Sequence, residues 1–538
     1  MDTKMRHVKF LFATSLLVSA ALFGTTYAAA QPTLVTIDSG KLKGAEKDGV
    51  LAFKGIPFAA PPLGELRWRA PQPVTPWTGV LDATQYKPDC AQLPFPSDAA
   101  PLGAGTSEDC LYANVWRPAA PSAEKRPVMV WIYGGGFVNG GSSPLVYAGN
   151  HFAAQGIVFV SFNYRVGRFG FFGHPALTQE HPEEPHGNYG YMDQIAALQW
   201  VQRNVAAFGG DPKQVTLFGE SAGGGSVLTM LTTPAAKGLF QRAIVESGGG
   251  RGMLMGQRYL SKTGPDGTPS AESLGINFAK ANGIDDTTEA GLAALRALPA
   301  DKVVDGLNMA SMFQAATTYS GPMIDGTIVN ESPADLITSG RWAKVPVMIG
   351  ANSADIGFPR GQTVDELFAP FGADEQKARA IYNPEKSDKV FVVGARIAAD
   401  QMMVEPARFI ARAVSAQGLP GYEYRFSYVA ESMRGQWPGA PHATEIPYVF
   451  NTVDAAYKDK LAPGDDAISK KALAYWVAFA KTGKPEPEGL PKWETQNPKT
   501  DFILNFTNNG IVTGPDPMKD RLDLIAKLAE AQAKAATK

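Results

Sequence analysis

The sequence has few metal-binding side chains and no excess of either charge. Its 538 residues include two cysteines and six histidines, and the formal net charge is −2. Two thiols without clustered histidines do not make a zinc site, so we expect no metal and no cofactor. A nearly balanced charge offers no electrostatic basis for binding nucleic acid. Any chemistry of this chain is therefore expected from its own side chains.

Apolar runs long enough to span a membrane are also missing. The chain begins with basic residues, followed by an uncharged apolar run over residues 10–23 and three alanines at 28–30. This run is shorter than the roughly 20 residues of a membrane span, and the pattern is typical of a signal peptide over residues 1–30. We expect the mature chain to be exported, to the periplasm or the medium. An uncleaved N-terminal anchor is the alternative.

The remaining chain is long for one domain but carries no linker-like segment. An apolar content of 44% is ample for a core. The length suits one elaborated α/β domain as well as it suits two. Because no composition break separates two halves, we predict a single domain over residues 31–538.

The two cysteines, Cys90 and Cys110, both lie in the part predicted to be exported. In an oxidising compartment an even pair at this spacing favours one disulfide that closes a surface loop. Two separate buried thiols are the alternative.

A strand-to-helix turn surrounds Ser221. Residues 215–218 form a short apolar run that predicts a buried strand, and the pattern from Ala222 onward predicts a helix. Gly219 and Gly223 flank the serine at the spacing of a nucleophile elbow, where a Cβ would collide with the neighbouring strand or helix. The pattern predicts that Ser221 is a nucleophile raised above the C-terminal edge of a sheet.

Further strands alternate with helices along the chain. Residues 127–133 predict a buried strand that opens into three glycines, whose backbone N–H groups suit an oxyanion hole built from Gly135, Gly136 and Ala222. Residues 34–37 and 50–53 predict an N-terminal hairpin, and residues 502–512 a terminal one. The order of elements predicts a doubly wound α/β sheet.

A serine needs a base, and the elbow architecture orders the chain as serine, acid, histidine. His442 is the only histidine after Ser221, so it is the predicted base. The acid has to follow a strand between them. Asp355, in a polar turn after the apolar residues 345–349, is favoured over Asp325, which precedes a glycine and has the pattern of a β-turn residue.

Four motifs occur together in this chain: SEDCLY at 107–112, WIYGGGF at 131–137, FGGDP at 208–212 and GESAGG at 219–224. The combination resembles the type-B carboxylesterase/cholinesterase family of α/β-hydrolases. The resemblance implies an α/β-hydrolase fold, hydrolysis of small-molecule esters, and a triad of Ser221, Asp355 and His442. Many relatives have glutamate where this chain has Asp355.

The same resemblance implies supporting residues. Glu220 and Glu445 match acidic residues that tune the triad, and Cys90 and Cys110 match the first disulfide of the family. Two structural ion pairs are implied as well, Arg67 with Glu108 and Arg165 with Asp193. The loop between the cysteines contains no tryptophan, so the aromatic platform for a quaternary ammonium group is missing from it and a choline ester specialist is not expected.

The leading hypothesis is an exported serine carboxylic-ester hydrolase that acts through an acyl-enzyme on small to medium organic esters. Two alternatives remain from the sequence: a lipase-like esterase for longer acyl chains, and a catalytically inactive binding module with the same fold. The residues that line the substrate pocket are expected from the weakly patterned regions 251–340 and 360–435.

Overall fold

The computed structural model describes residues 33–253 and 256–536. The predicted signal segment, residues 1–30, lies outside them. Eleven strands form one large sheet, and they are labelled in chain order: β1 Ala45–Lys47, β2 Val50–Pro57, β3 Tyr112–Pro118, β4 Arg126–Ile132, β5 Val158–Phe162, β6 Gly210–Glu220, β7 Arg242–Glu246, β8 Val347–Asn352, β9 Gly421–Phe426, β10 Phe502–Thr507 and β11 Gly510–Pro515.

The order of strands across the sheet is β11-β10-β9-β8-β7-β6-β4-β5-β3-β2-β1. The strands from β10 to β5 run parallel, whereas β11 and the β3-β2-β1 group pair antiparallel. The predicted terminal hairpin is present as β10 and β11. This large mixed sheet with helices on both sides has the α/β-hydrolase fold class expected from the sequence.

Helices of eight or more residues are α1 Tyr189–Asn204, α2 Ala222–Thr232, α3 Ala271–Ala281, α4 Glu289–Arg296, α5 Glu375–Tyr382, α6 Val390–Ala399, α7 Glu405–Ala416, α8 Pro463–Thr482 and α9 Lys519–Ala536. Shorter helices are Asn150–Ala154, Gly167–Gly170, Pro175–Glu180, Ala300–Val304, Pro333–Thr338, Val364–Phe368, Ile446–Val449 and Val453–Tyr457. Within residues 33–253 and 256–536, no helix has both the length and the apolar composition that crossing a membrane requires.

The core lies against the central parallel strands. All five residues of β5 and the last five of β4 are buried, because helices cover both faces of a parallel sheet and leave no solvent face for alternation. Trp131 of β4 lies at the centre, with ring contacts to Phe218 at 4.8 Å and Phe450 at 4.9 Å between centroids. Rigid packing beneath the ends of β4 and β6 supports the site described below.

The predicted N-terminal hairpin is wrong in its second strand. Leu34–Ile37 pairs antiparallel with Gly40–Lys43 across a two-residue turn, and Val80–Asp82 joins them in a separate three-stranded sheet. Residues 50–53 belong instead to β2 of the large sheet. The reason is local, because Leu42 is buried between exposed Lys41 and Lys43 and therefore alternates as a half-buried strand does.

Candidate active site

Ser221 lies in the sharp turn between β6 and α2. Its backbone has φ 55° and ψ −121°, a conformation that residues with a side chain rarely adopt, so the surrounding structure has to hold it. One restraint is a hydrogen bond from the Ser221 N–H to the carbonyl oxygen of Glu246, at 2.9 Å. The turn raises the hydroxyl group above the C-terminal edge of the sheet.

The two flanking glycines allow this turn to lie against the neighbouring strand. A Cβ on Gly219 would lie 2.6 Å from the carbonyl oxygen of Ile132, and a Cβ on Gly223 would lie 2.0 Å from that same atom. Both distances are shorter than any real contact. Glycine is therefore required at both positions for β6 and α2 to pack against the end of β4.

The three predicted triad residues meet at this turn. The Nε2 atom of His442 lies 2.8 Å from Ser221 Oγ, and its Nδ1 atom lies 2.6 Å from Asp355 Oδ1. The Asp355 side chain is fully buried, whereas the imidazole is partly exposed. This arrangement places a base beside the serine and a carboxylate on the far side of that base.

Asp355 is held by several donors besides the imidazole. Its Oδ2 atom accepts from Ser247 Oγ at 2.7 Å and from the Asn352 N–H at 2.8 Å, and its Oδ1 atom accepts from the Ile356 N–H at 2.7 Å. Burial alone would raise the pKa of Asp355, but the positive charge on His442 and these hydrogen bonds lower it below its usual value. The carboxyl group is therefore ionised and fixed in orientation.

Asp325, the alternative acid, has different partners. Its Oδ1 atom accepts from the N–H groups of Thr327, Ile328 and Val329, and its Oδ2 atom accepts from Asn188 Nδ2 at 2.6 Å. These contacts are those of a turn-forming aspartate. The structure does not bring Asp325 together with His442.

The glycine-rich loop after β4 lies close to Ser221, since a Cβ on Gly134 would lie 2.9 Å from the Ser221 Cβ. Gly135 and Gly136 have φ 106° and 63°, and a Cβ on Gly135 would lie 2.4 Å from the Asn139 carbonyl oxygen. Within the described residues, the N–H groups of Gly135, Gly136 and Ala222 donate to no other group. Three free donors near one nucleophile suit an oxyanion.

Glu220 and Glu445 both act electrostatically on the imidazole. Glu220 Oε1 lies 3.3 Å from His442 Nε2, and Glu445 accepts a hydrogen bond from Asn352 Nδ2. Burial opposes a charged imidazole, but the carboxyl groups of Glu220, Asp355 and Glu445 outweigh it and raise the pKa of His442 above its ordinary value. The site is therefore built to stabilise an imidazolium ion.

Both predicted ion pairs and the predicted disulfide are present. Arg67 contacts Glu108 through two hydrogen bonds of 2.8 and 2.5 Å. Arg165 contacts Asp193 through two of 2.8 Å. Two hydrogen bonds between one guanidinium and one carboxylate fix the relative orientation of the two side chains and also stabilise their contact. Cys90 and Cys110 are joined by a disulfide.

A cavity of about 510 Å³ opens over Ser221 and His442. The charged or ionisable groups in its wall include Asp98 and Glu220, and no lysine or arginine of the described chain lines it. Most of the remaining wall is apolar and comes from Phe95, Tyr147, Met309, Met312, Phe313, Phe358, Met402, Met403 and Trp437. Methionine side chains adapt to ligands of different shape.

One group of possible metal ligands occurs among residues 33–253 and 256–536. His181, Glu183 and Glu184 follow the short helix Pro175–Glu180, and their ligand atoms lie within 4.8 Å of one another. Glu184 is already paired with Arg69 at 2.5 Å. None of these side chains lines the cavity over Ser221.

Sequence reasoning missed Ser247 and the methionines of the cavity. Ser247 follows β7 directly, at the same edge of the sheet as Ser221, so the short apolar run 243–245 before it was an available signal. Met309, Met312 and Met402 fall within regions 251–340 and 360–435, from which the pocket wall was expected, but they were not singled out individually. No pattern in the sequence places them at the cavity.

Comparisons with known proteins agree with this geometry. The Carboxylesterase family profile matches residues 31–391 and 372–523. The para-nitrobenzyl esterase of Bacillus subtilis (strain 168) is 35% identical over 511 residues, covering 91% of this chain and 97% of that protein. The fumonisin B1 esterase of Sphingopyxis macrogoltabida is 34% identical over 475 residues, covering 85% and 83%.

Carboxylesterase 1C of Rattus norvegicus is 32% identical over 517 residues, covering 88% of this chain and 89% of that protein. These relatives come from bacteria and a mammal, and each is similar to this chain over most of its length. The family profile, the identities and the coverage agree, and this chain belongs to the carboxylesterase family of ester-hydrolysing enzymes.

Proposed function

We propose that Ser221, His442 and Asp355 form the catalytic triad of this carboxylesterase. Ser221 Oγ attacks the ester carbonyl carbon while His442 Nε2 takes the hydroxyl proton. His442 then gives that proton to the departing alcohol, which leaves an acyl group on Ser221. A water molecule attacks the acyl-enzyme, again losing a proton to His442, and the carboxylic acid leaves as Ser221 recovers its proton.

The observation that carries this proposal is the continuous contact from Ser221 Oγ through the imidazole to Asp355, at 2.8 and 2.6 Å. Asp355 holds the imidazole in the tautomer with its proton on Nδ1, which leaves Nε2 free to accept. The N–H groups of Gly135, Gly136 and Ala222 are the proposed donors to the oxyanion. Each such donor is worth about 10²- to 10³-fold in rate.

Glu220 and Glu445 are proposed to favour the charged histidine that forms during attack. Arg67 with Glu108, Arg165 with Asp193, and the Cys90–Cys110 disulfide are proposed to support the loops without touching the substrate. A catalytically inactive binding module would have no need of a complete triad with three free backbone donors, so the geometry favours an enzyme.

The substrate class is proposed to be uncharged carboxylic esters of small to medium size. A cavity of about 510 Å³ with largely apolar walls suits such molecules. Its wall contains the carboxyl groups of Asp98 and Glu220 and, among the described residues, no lysine or arginine, so it offers no counter-charge to an ester that carries a free carboxylate. A lipase-like enzyme differs by preferring long acyl chains.

Export and domain organisation are part of the same proposal. The signal-like pattern of residues 1–30 and the disulfide support an exported enzyme. Residues 31–538 are proposed to form one domain, and the support is a single sheet whose strands extend from Ala45 to Pro515.

A series of 4-nitrophenyl esters with increasing acyl length tests the function, with Ser221→Ala as the matched control. We expect the highest kcat/KM on short and medium acyl chains, and a loss of several orders of magnitude in the folded Ser221→Ala variant. Rates that rise steadily to the longest, micelle-forming esters would support the lipase alternative. A Ser221→Ala variant with more than about a tenth of the wild-type rate would contradict the nucleophile.

A further inference from the structure

The loop after β4, which carries two of the proposed oxyanion donors, has an unusual backbone. Gly135, Gly136 and Phe137 have φ of 106°, 63° and 62°, so three consecutive residues have positive φ. A positive φ costs a glycine little but is rare for phenylalanine, so the surrounding structure has to hold this loop. Phe137 is held through its carbonyl oxygen, which accepts from the Gly167 N–H at 2.7 Å. The contacts around the two glycines decide where their N–H groups point.

The carbonyl oxygen of Gly135 is held by two donors. The Val138 N–H donates to it at 3.1 Å and the Asn139 N–H at 2.9 Å. This carbonyl group shares a planar trans peptide unit with the Gly136 N–H, and the two groups point in opposite directions. Bonds that fix the carbonyl group therefore also fix the direction of the Gly136 N–H, which is one of the proposed oxyanion donors.

Asn139 is anchored to two segments outside this loop. The residue is completely buried. Its Nδ2 atom donates to the carbonyl oxygen of Leu93 at 2.7 Å and to Gln92 Oε1 at 3.2 Å, and its Oδ1 atom accepts from the Met309 N–H at 2.9 Å. A buried polar network whose members are paired in this way is rigid. The anchored side chain thus holds the Asn139 N–H against Gly135.

Gln92 supports the same turn from the loop between the two cysteines. Its Nε2 atom donates to the carbonyl oxygen of Gly140 at 2.7 Å, and its Oε1 atom accepts from the Gly140 N–H at 2.9 Å. Gly140 packs closely against the start of the loop, since a Cβ there would lie 2.5 Å from the Gly134 carbonyl oxygen. The Gln92 amide therefore fixes the residue after Asn139 at both of its main-chain polar groups.

Met309 connects Asn139 to the wall of the substrate cavity. The main chain of Met309 is bound to Asn139, and Met309 lines the cavity over Ser221. A Cβ on Gly136 would lie 3.6 Å from Met309 Cγ and 3.4 Å from Met312 Sδ, so both methionines border this glycine. Asn139 therefore joins the peptide that carries the Gly136 N–H to a segment of the cavity wall.

We propose that Asn139 is a positioning residue for the oxyanion hole. It fixes the direction of the Gly136 N–H and ties this donor to Met309, so that the hole does not have to reorganise when charge develops on the ester oxygen. Asn139 does not line the cavity, and it acts through the peptide between Gly135 and Gly136. The inference rests on the proposed triad and oxyanion hole and adds to them the residue that holds one donor in place.

Three variants and one control test this role. Asn139→Ala removes all three side-chain hydrogen bonds, and Asn139→Asp keeps one acceptor but places a carboxylate oxygen where Nδ2 meets two acceptors. Gln92→Met removes the outer support and leaves Asn139 unchanged. The control is Asn204→Ala, at a buried asparagine that ends α1, accepts from the Asp38 N–H at 2.9 Å and donates to the Trp200 carbonyl oxygen at 3.2 Å.

Two ketones with the same alkyl chain separate the oxyanion hole from the rest of the cavity. Ser221 Oγ attacks the carbonyl carbon of a trifluoromethyl ketone: an O–C bond forms, the carbonyl π electrons move to the oxygen, and the serine proton passes to His442. The adduct therefore carries an oxyanion and resembles the transition state. The matching methyl ketone is less electrophilic and occupies the cavity without this adduct. Inhibition constants for both are measured with kcat and KM for a small 4-nitrophenyl ester and with thermal unfolding.

We expect kcat of both Asn139 variants to fall about 10- to 100-fold with KM nearly unchanged, because acylation and deacylation both pass through an oxyanion. Affinity for the trifluoromethyl ketone should fall by a similar factor, whereas affinity for the methyl ketone should stay the same. Gln92→Met should show the same pattern to a smaller extent. Asn204→Ala should lose thermal stability without a change in kcat or in either inhibition constant.

A folded Asn139→Ala variant that keeps both its kcat and its affinity for the trifluoromethyl ketone would overturn the proposal. An equal loss of affinity for both ketones would also overturn it, since that pattern reports a changed cavity. Where both Asn139 variants fail to fold, an unchanged trifluoromethyl ketone affinity in Gln92→Met overturns it instead. A wild-type protein without preference for the trifluoromethyl ketone would contradict the proposed oxyanion hole itself, whereas a preference that the Asn139 variants retain contradicts only the role of Asn139.

Discussion

Ala354 and Pro441 form a parallel β-bridge between the loop that carries Asp355 and the loop that carries His442. The Ala354 N–H donates to the carbonyl oxygen of Ala440 at 2.9 Å, and the Ala440 N–H donates to Ser353 Oγ at 3.0 Å. The β-bridge and these two hydrogen bonds hold the two loops side by side and so set the distance between acid and base. The acid and the base of the proposed triad are thus positioned by the two loops that follow β8 and β9, whereas Ser221 is held by the turn between β6 and α2.

The first prediction separates the two candidate acids. We expect Asp355→Asn to reduce kcat by about 10⁴-fold, because an amide at this position favours the wrong imidazole tautomer. Asp325→Asn replaces one carboxylate oxygen of a turn by an amide donor and should lower thermal stability with little effect on kcat. Steady-state kinetics and thermal unfolding of both variants make the comparison, and the opposite ranking of the two kcat values would transfer the role to Asp325.

The second prediction concerns pH. The acidic neighbours of His442 raise its pKa despite burial, and only the neutral imidazole accepts the Ser221 proton, so activity should appear as pH rises through that raised pKa. Burial also raises the pKa of Glu220 well above its usual range, so the acid limb reports Glu220 and His442 as a coupled pair.

Glu220→Gln removes the carboxyl group 3.3 Å from His442 Nε2. The imidazolium then loses a favourable charge, its pKa falls, and the acid limb of kcat/KM is expected at lower pH than in the wild type. The profile is measured with an uncharged ester so that only the enzyme titrates. A limb that moves to higher pH would show that Glu220 does not favour the charged histidine.

The third prediction concerns the elbow. Gly223→Ala should prevent correct folding around Ser221, because the new Cβ would lie 2.0 Å from the Ile132 carbonyl oxygen. Gly105→Ala is the matched control, since a Cβ there meets open space. Soluble yield and thermal unfolding of the two variants are compared. Equal stability of both would contradict the close approach of α2 to the end of β4.

The fourth prediction concerns the disulfide. Closing a loop of this size contributes about 3 kcal/mol to the free energy of unfolding, chiefly through the entropy of the unfolded chain. Reduction of Cys90–Cys110 should therefore lower the midpoint of thermal unfolding, while the rate on a small ester at low temperature stays nearly unchanged. Loss of turnover before any unfolding signal would place the geometry of this loop inside the catalytic machinery.

The sequence predicted those features that follow from local steric constraints or from the number of residues of one type. The glycines around Ser221 are required by contacts to Ile132, so the elbow is visible in the sequence itself. His442 was predicted as the base because no other histidine comes after Ser221 in the sequence. The parallel strands were visible as short apolar runs because both of their faces are buried.

Contacts between distant segments were not predictable in the same way. The bond from Ser247 to Asp355 joins residues 108 positions apart, and the ring of Tyr424 on β9 lies against Gly350 of β8 because that glycine has no side chain. The wall of the cavity combines Met309, Phe358 and other residues from irregular segments. Such arrangements depend on how the strands and loops are ordered in space, which hydrophobic periodicity does not report.

The most direct test of the central claim is the identification of the acylated residue. The enzyme is mixed with excess 4-nitrophenyl acetate, quenched with acid within the first turnovers, digested, and mapped by mass spectrometry; Ser221→Ala is treated in parallel. The account predicts an acetyl group on Ser221 in the wild type and none on the corresponding peptide of the variant. An acetyl group that turns over on another residue, or hydrolysis that persists in Ser221→Ala at the wild-type rate, would contradict it.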